Sequence, residues 1–272
     1  CSAMSREILG KTFDIHGGGY DLKFPHHENE IAQNVGCFDH APAKYWIHAN
    51  MLLLNGKKMS KSDGNTISPA QLFTGDSKFI TQAYSPMVIR FFILQTHYRS
   101  TLDLTDEALQ GAEKGFKRLL EATKSVKQLK TNASAINEET NSEINTCLDN
   151  LYTEMNDDFN TPKAMAGLFD LVTKINSFKD GHTNVNQLSA ETLSRLISEM
   201  NTWFFDILGL RDDDAQDGNA DKMDGVMQLV LDLRQQARTK KDFALSDQIR
   251  DRLTKVKIVV KDGKEGASWS YE

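Results

Sequence analysis

The chain has 272 residues, of which 26% are charged and 39% hydrophobic, with a mean hydropathy of -0.47 and a formal net charge of -6. The length favours two or three small domains over one core, since single cores seldom grow past about 250 to 300 residues. No apolar run approaches the roughly 18 residues of a membrane-spanning helix, and the acidic balance argues against a protein that coats nucleic acid by charge alone.

Residues 1 to about 100 hold four of the five prolines, six of the seven histidines and the run Gly17-Gly18-Gly19. With β-like stretches at Thr12 to His16 and Trp46 to Leu54, this part reads as α/β with functional loops. From Thr105 the period becomes helical, with Leu109, Ala112, Phe116, Leu119, Thr123, Val126 and Leu129 on one face behind a capped start. Ile144, Leu148, Leu151 and Met155 form a second apolar face. Thr161 as N-cap with Pro162 at the first helical position opens a third, through Leu168, Leu171, Val172 and Ile175. Leu193 to Ile207 supplies a fourth, which Gly209 stops, so a four-helix bundle is expected.

Arg211 to Asp224 carries six aspartates and reads as a solvated hinge. Two amphipathic helices should follow, through Val226 to Leu233 and Phe243 to Val256, and then a hairpin of Lys257 to Lys261 and Ser268 to Tyr271 that turns at Asp262-Gly263. Gly225 to Glu272 holds ten Lys or Arg against seven Asp or Glu, so this segment is +3 and the remainder -9. The tail can therefore meet a polyanion locally.

Three stretches carry candidate chemistry. In Phe24-Pro25-His26-His27-Glu28-Asn29-Glu30, a helix beginning at Pro25 points His26 and Glu30 from one face. Cys1 could join them, but zinc takes four ligands and spacing offers three, while such a His/Glu pair is more often a surface pair. In Phe13 to Asp21, three glycines after a strand let backbone approach a ligand, and Asp21 suits ribose hydroxyls or an ammonium group; the bland reading is a flexible turn. In Gly56 to Asn65, Lys57, Lys58 and Lys61 on a loop after an apolar strand suit polyphosphate oxygens, although lysine-rich loops are commonly just solvated. Three scattered cysteines, Cys1, Cys37 and Cys147, make no disulfide framework and point to a reducing cytoplasm.

The pentad Lys58-Met59-Ser60-Lys61-Ser62 resembles the second signature loop of class I aminoacyl-tRNA synthetases. Cys1 to Met4, Phe13 to Gly19, Phe24 to Gln33, His97-Tyr98-Arg99-Ser100, Asp157 to Pro162 and the closing Asp262 to Trp269 resemble the cysteinyl-tRNA synthetase family in particular. The resemblance implies an α/β partial Rossmann-type catalytic domain, then an all-α helical bundle and a small α+β C-terminal module, mostly helical overall. Its segments are 1–100 with the zinc site and lysine loop, 101–211 as a DALR-type anticodon-binding bundle, 212–224 as an acidic linker, and 225–272 as a small tRNA-binding module.

It further implies a zinc site with Cys1, His26 and Glu30 as three of four ligands, able to prefer the thiolate of cysteine over the hydroxyl of serine without editing. His16 falls in the cysteine pocket, Lys61 with Lys58 beside it at the ATP phosphates, and Gly19 and Asp21 in the ATP region. Trp269 and Tyr271 are candidates to stack on tRNA bases or, equally, to pack the hairpin on its helices. The implied reaction joins cysteine to tRNA(Cys) through cysteinyl-adenylate at the expense of ATP with Mg2+, in a cytoplasmic monomer without membrane contact. The family's other zinc cysteine and its phosphate-gripping histidine motif match nothing here, so the chain is expected to be one part of a longer protein, inactive alone and with exposed apolar sheet edges. A non-catalytic zinc and tRNA-binding module, and a ligase that joins cysteine to an amino sugar, are the alternatives.

Overall fold

The computed structural model describes residues 1–239, 242–255, 258–263 and 266–271. The chain starts with helix α1 (Ser2–Leu9), strand β1 (Phe13–Gly19) and helix α2 (Glu28–Phe38). Strand β2 (Ala43–Ala49) runs parallel to β1 with Phe13 opposite Ala43 and Gly19 opposite Ala49. The three glycines therefore continue a strand and form no turn. Ile15 and Tyr45 on this pair are 57% and 67% exposed, in keeping with an apolar sheet surface open to solvent.

The β-like stretch at Trp46 to Leu54 is two strands in different sheets. β2 ends where the backbone N–H of Asn50 turns aside and donates to the Tyr98 carbonyl at 2.8 Å. Strand β3 (Leu52–Leu54) then forms a hairpin with β4 (Lys57–Lys58) through Asn55-Gly56, both at positive φ as a tight primed turn requires. Helices α3 (Pro69–Thr74) and α4 (Pro86–Leu94) follow, each with a serine N-cap and a proline in its first turn. Strand β5 (Leu102–Leu104) completes a β4-β3-β5 sheet.

Four helices come next: α5 (Asp106–Ser125), α6 (Glu138–Asn156), α7 (Thr161–Lys179) and α8 (Ala190–Asn201). The Thr105 hydroxyl caps α5 by accepting from the Ala108 N–H at 3.1 Å. The cap of α7 is Asn160 and not Thr161, because the Asn160 side-chain oxygen accepts from the Lys163 N–H and Thr161 is already helical. Past α8 the chain widens into a π-helical turn, Thr202–Ile207, that buries Trp203 and Phe204. Gly209 at φ 61 ends it, and a Cβ there would stand 2.7 Å from the Arg90 guanidinium.

The expected apolar faces are buried in one core together with Leu54, Leu72, Val88 and Leu104 of the preceding part. Phe91 of α4 is fully buried and meets Phe116 of α5 and Phe169 of α7 edge-on, with ring centroids 6.0 and 6.3 Å apart. Residues 1 to 211 accordingly form one compact unit, Cys1–Arg211, so the expected boundary near residue 100 is not a break in packing. We expect Phe91→Ala to destabilise this unit by about 3–5 kcal/mol in urea unfolding, because the cavity would open between both parts. A loss below about 1 kcal/mol would show that the two parts do not share a core.

The second unit is Asp212–Glu272. Its helix α9 (Asp213–Thr239) includes most of the stretch expected as a solvated hinge. Asp213 is its first residue, where a carboxylate complements the positive end of the helix dipole, so part of the acidic run lies at a helix start. Helix α10 (Phe243–Lys255) and the antiparallel strands β6 (Ile258–Gly263) and β7 (Gly266–Tyr271) complete it. Asp262 and Gly263 pair with Ala267 and Gly266 as strand residues, and the turn itself falls at positions outside the described residues. Among the described residues no helix is long and apolar enough to cross a membrane.

Candidate functional site

Two chemical clusters stand in the first unit. The first gathers on Glu30, which is only 4% exposed although it is a carboxylate on α2. Its two oxygens are divided: Oε2 lies 2.8 Å from His16 Nε2 on β1, and Oε1 lies 3.0 Å from His26 Nε2 one turn earlier in the chain. The local backbone differs from the expected helix starting at Pro25. Lys23–His27 is a π-type turn with Phe24 extended inside it, and α2 begins at Glu28, yet His26 and Glu30 still meet across one turn. Cys1 stands where its Sγ, the His26 ring and the Glu30 carboxylate lie within 4.8 Å of one another. The structure thus brings together the three residues that spacing could only suggest.

A second three-residue group, His16, His27 and Glu30, shares the same carboxylate. His27 was not singled out by the spacing argument, and neither were Trp46 and His48. The β1–β2 register supplies the reason they belong: Trp46 lies opposite His16 and His48 opposite Gly18, two apart on β2 and hence on one face. His27 is 3% exposed, lies 2.9 Å through Nδ1 from His48 Nε2, and packs against Trp46 at 5.1 Å. Burial, then the neighbouring His16, push its pKa below the ordinary histidine value and favour the neutral ring. Gly18 is required at this point, since a Cβ would come within 2.6 Å of the His27 ring. Asp21, in the turn Tyr20–Leu22, folds its carboxylate back over Gly19, and Tyr20 and Phe24 beside it are exposed.

The second cluster is the lysine loop. Lys58 pairs in β4 with Leu53, and the chain then closes on itself where Ser60 and Asn65 exchange backbone hydrogen bonds at 3.2 Å. The Asn65 side-chain N–H donates to the Lys58 carbonyl at 3.2 Å, and the hydroxyls of Ser60 and Ser62 meet at 2.7 Å. Lys57, Lys58 and Lys61 are exposed, and among the described residues none pairs with a carboxylate. A loop fixed by its own backbone thus presents uncompensated ammonium groups, an arrangement suited to a polyphosphate. In the second unit, Trp269 pairs with Val260 and Tyr271 with Ile258 through the backbone; their side chains lie outside what the structure describes.

Three family models match the chain in order. Residues 1–114 match the model of the class I tRNA synthetase (C) catalytic domain, 150–211 the DALR domain, and 222–269 the cysteinyl-tRNA ligase anticodon binding domain. The fold is that of a class I aminoacyl-tRNA synthetase. A solved ternary complex of Agrobacterium radiobacter K84 agnB2 LeuRS with tRNA and LeuAMS shares the fold at a TM-score of 0.50 and 16% identity, over 73% of this chain and 28% of that one. The cysteine–tRNA ligase of Parabacteroides distasonis is 47% identical over 99% of this chain and 53% of its own length, and that of Cytophaga hutchinsonii 44% identical over 100% of this chain and 54% of its own. The chain belongs to the cysteine–tRNA ligase family and spans about half the length of the curated relatives it matches.

Proposed function

We propose that this chain supplies the metal pocket, the lysine loop and the tRNA-reading parts of a cysteine–tRNA ligase. The observation that carries the reading is the buried Glu30, with an imidazole on each oxygen and the Cys1 thiol in reach. A thiol, an imidazole and a carboxylate form a donor set that fits zinc. Cys1, His26 and Glu30 would hold the ion, which when bound supplies a soft Lewis acid that favours a thiolate over an alcohol. His16 braces Glu30 from its other side and lines the space beside it, while His48 orients the neutral His27.

The chain's own residues do the rest by position and charge. Asp21 and Gly19 meet the adenosine and amino-acid groups. As the cysteine carboxylate forms its bond to the α-phosphorus of ATP and pyrophosphate leaves, Lys61 and Lys58 stabilise the charge that grows on the phosphate oxygens, which Mg2+ shares. The terminal adenosine hydroxyl of tRNA(Cys) then attacks the acyl carbon and AMP departs. The match over residues 222–269 supports an RNA acceptor over an amino sugar, with Trp269 and Tyr271 stacking on its bases. The 1–100 segment serves catalysis and the 101–211 and 225–272 segments serve anticodon binding, and a cytoplasmic monomer suits this work.

The test is a chimera in which this chain replaces the matching part of the Parabacteroides distasonis relative. We expect cysteine-dependent ATP–pyrophosphate exchange from the chimera, none with serine, and none from the 272-residue chain alone. A folded, zinc-loaded chimera without exchange would overturn the reading, and exchange by the chain alone would remove the need for a complementary half.

A further inference from the structure

The loop between α6 and α7 holds two consecutive residues, Asp158 at φ 58 and Phe159 at φ 56, in the left-handed region that residues with a Cβ seldom occupy. Aspartate tolerates this region but phenylalanine has no such preference, so a run of two such residues is steadied by contacts from outside the loop. They come from the His97–Ser100 segment. The Asp158 carboxylate accepts from the Tyr98 hydroxyl at 2.6 Å and from Arg99 Nε at 2.5 Å and Nη2 at 3.1 Å, with His97 Nε2 at 4.0 Å. Arg99, then Tyr98, hold this carboxyl below the ordinary aspartate range, as a set of donors to the charged form should.

The same two residues grip the end of β2 with their backbone. Asn50 donates its N–H to the Tyr98 carbonyl and its side-chain amide to the Arg99 carbonyl, each at 2.8 Å. Its side-chain oxygen in turn accepts from the Met51 N–H at 2.7 Å, and the Met51 carbonyl accepts from Leu102 at 3.0 Å. β3 leaves from Met51 and leads within a few residues to Lys57, Lys58 and Lys61. On its inner side this segment borders an apolar cavity of about 420 Å³, lined among others by Asn50, Met51, Ile67, Phe92, His97 and Tyr98. The cavity leaves the segment fewer packing partners there, so its hydrogen bonds carry more of its placement.

We propose that Asp158 is a positioning residue for the lysine loop: a carboxylate of the helical bundle that fixes Tyr98 and Arg99, through them Asn50, and so the point from which the loop departs. It rests on the reading that the lysine loop serves ATP, but its structural half stands apart from that reading. Two carboxylates of this corner, Glu154 and Asp158, are already paired with Lys163 and Arg99 of the same chain. Its contribution is mechanical.

The test is amide hydrogen exchange on the 272-residue chain. Asp158→Ala should speed exchange at Asn50 and Leu102 by about tenfold, as loss of a charge-assisted pair would, while core amides of α5 and α7 stay protected. Acceleration confined to residues 157–161 would overturn the proposal. Should Asp158→Ala fail to fold, Tyr98→Phe removes one hydroxyl only; faster exchange at Asn50 supports the proposal and an unchanged rate sinks it. In the chimera, Asp158→Asn should lower kcat for pyrophosphate exchange with zinc content unchanged. An inactive wild-type chimera would count against the ligase reading and leave the amide result intact.

Discussion

Glu30→Gln is expected to weaken zinc binding by the 272-residue chain more than about 100-fold, measured by competition with a chromophoric chelator. Losing an outer-shell partner of a metal ligand already costs roughly 10- to 100-fold, and Glu30 does more than that in this reading. It is a ligand itself, and its two oxygens hold His16 at 2.8 Å and His26 at 3.0 Å. Glutamine keeps the volume but removes the charge and puts an NH2 group where an acceptor stood. One imidazole would then face a donor and would have to shift its ring proton or turn away. His16→Asn, which spares the three ligands, should cost less. Wild-type affinity in the Glu30→Gln chain would remove Glu30 from the metal site.

The second large effect belongs to the lysine loop. In the chimera, Lys61→Ala should lower cysteine-dependent pyrophosphate exchange by about 10²- to 10³-fold, the usual result of deleting a group aimed at charge that develops in the transition state. Zinc content should not change, because no hydrogen bond or ion pair joins the loop to the histidine cluster among the described residues. A rise in KM for ATP with kcat unchanged would instead assign Lys61 to ground-state binding. Lys58 sits on β4, paired to Leu53, and its replacement also tests how far strand register contributes.

Much of this was legible in sequence wherever a local rule decides. The periodic faces of α5 to α8 are buried where the three-and-four spacing puts them, and Thr105 caps α5 because the hydroxyl, the turn and the acceptor are all within four residues. The lysine loop was legible for the same reason: its chemistry is contiguous. What failed was decided at longer range or by competition between neighbours. Asn160 outcompetes Thr161 for the cap of α7, a shift of one residue. The acidic run at Arg211 to Asp224 has the composition of a spacer, yet from Asp213 onward it is helix. His27, Trp46 and His48 join His16 only through the β1–β2 register, a pairing between residues about 30 apart that no local pattern encodes. The Asp158 contact to Tyr98 and Arg99 bridges a still longer stretch of chain.

The aromatic wedge at Phe91 sets where such a protein can be rearranged by evolution. A recombination joint near residue 105 would separate one ring from the two it packs against, Phe116 and Phe169, and both inherited halves would arrive with surfaces shaped for absent neighbours. A joint at Arg211 cuts between compact units and leaves that cluster whole. The bundle and the part that carries the lysine loop are therefore expected to be inherited together.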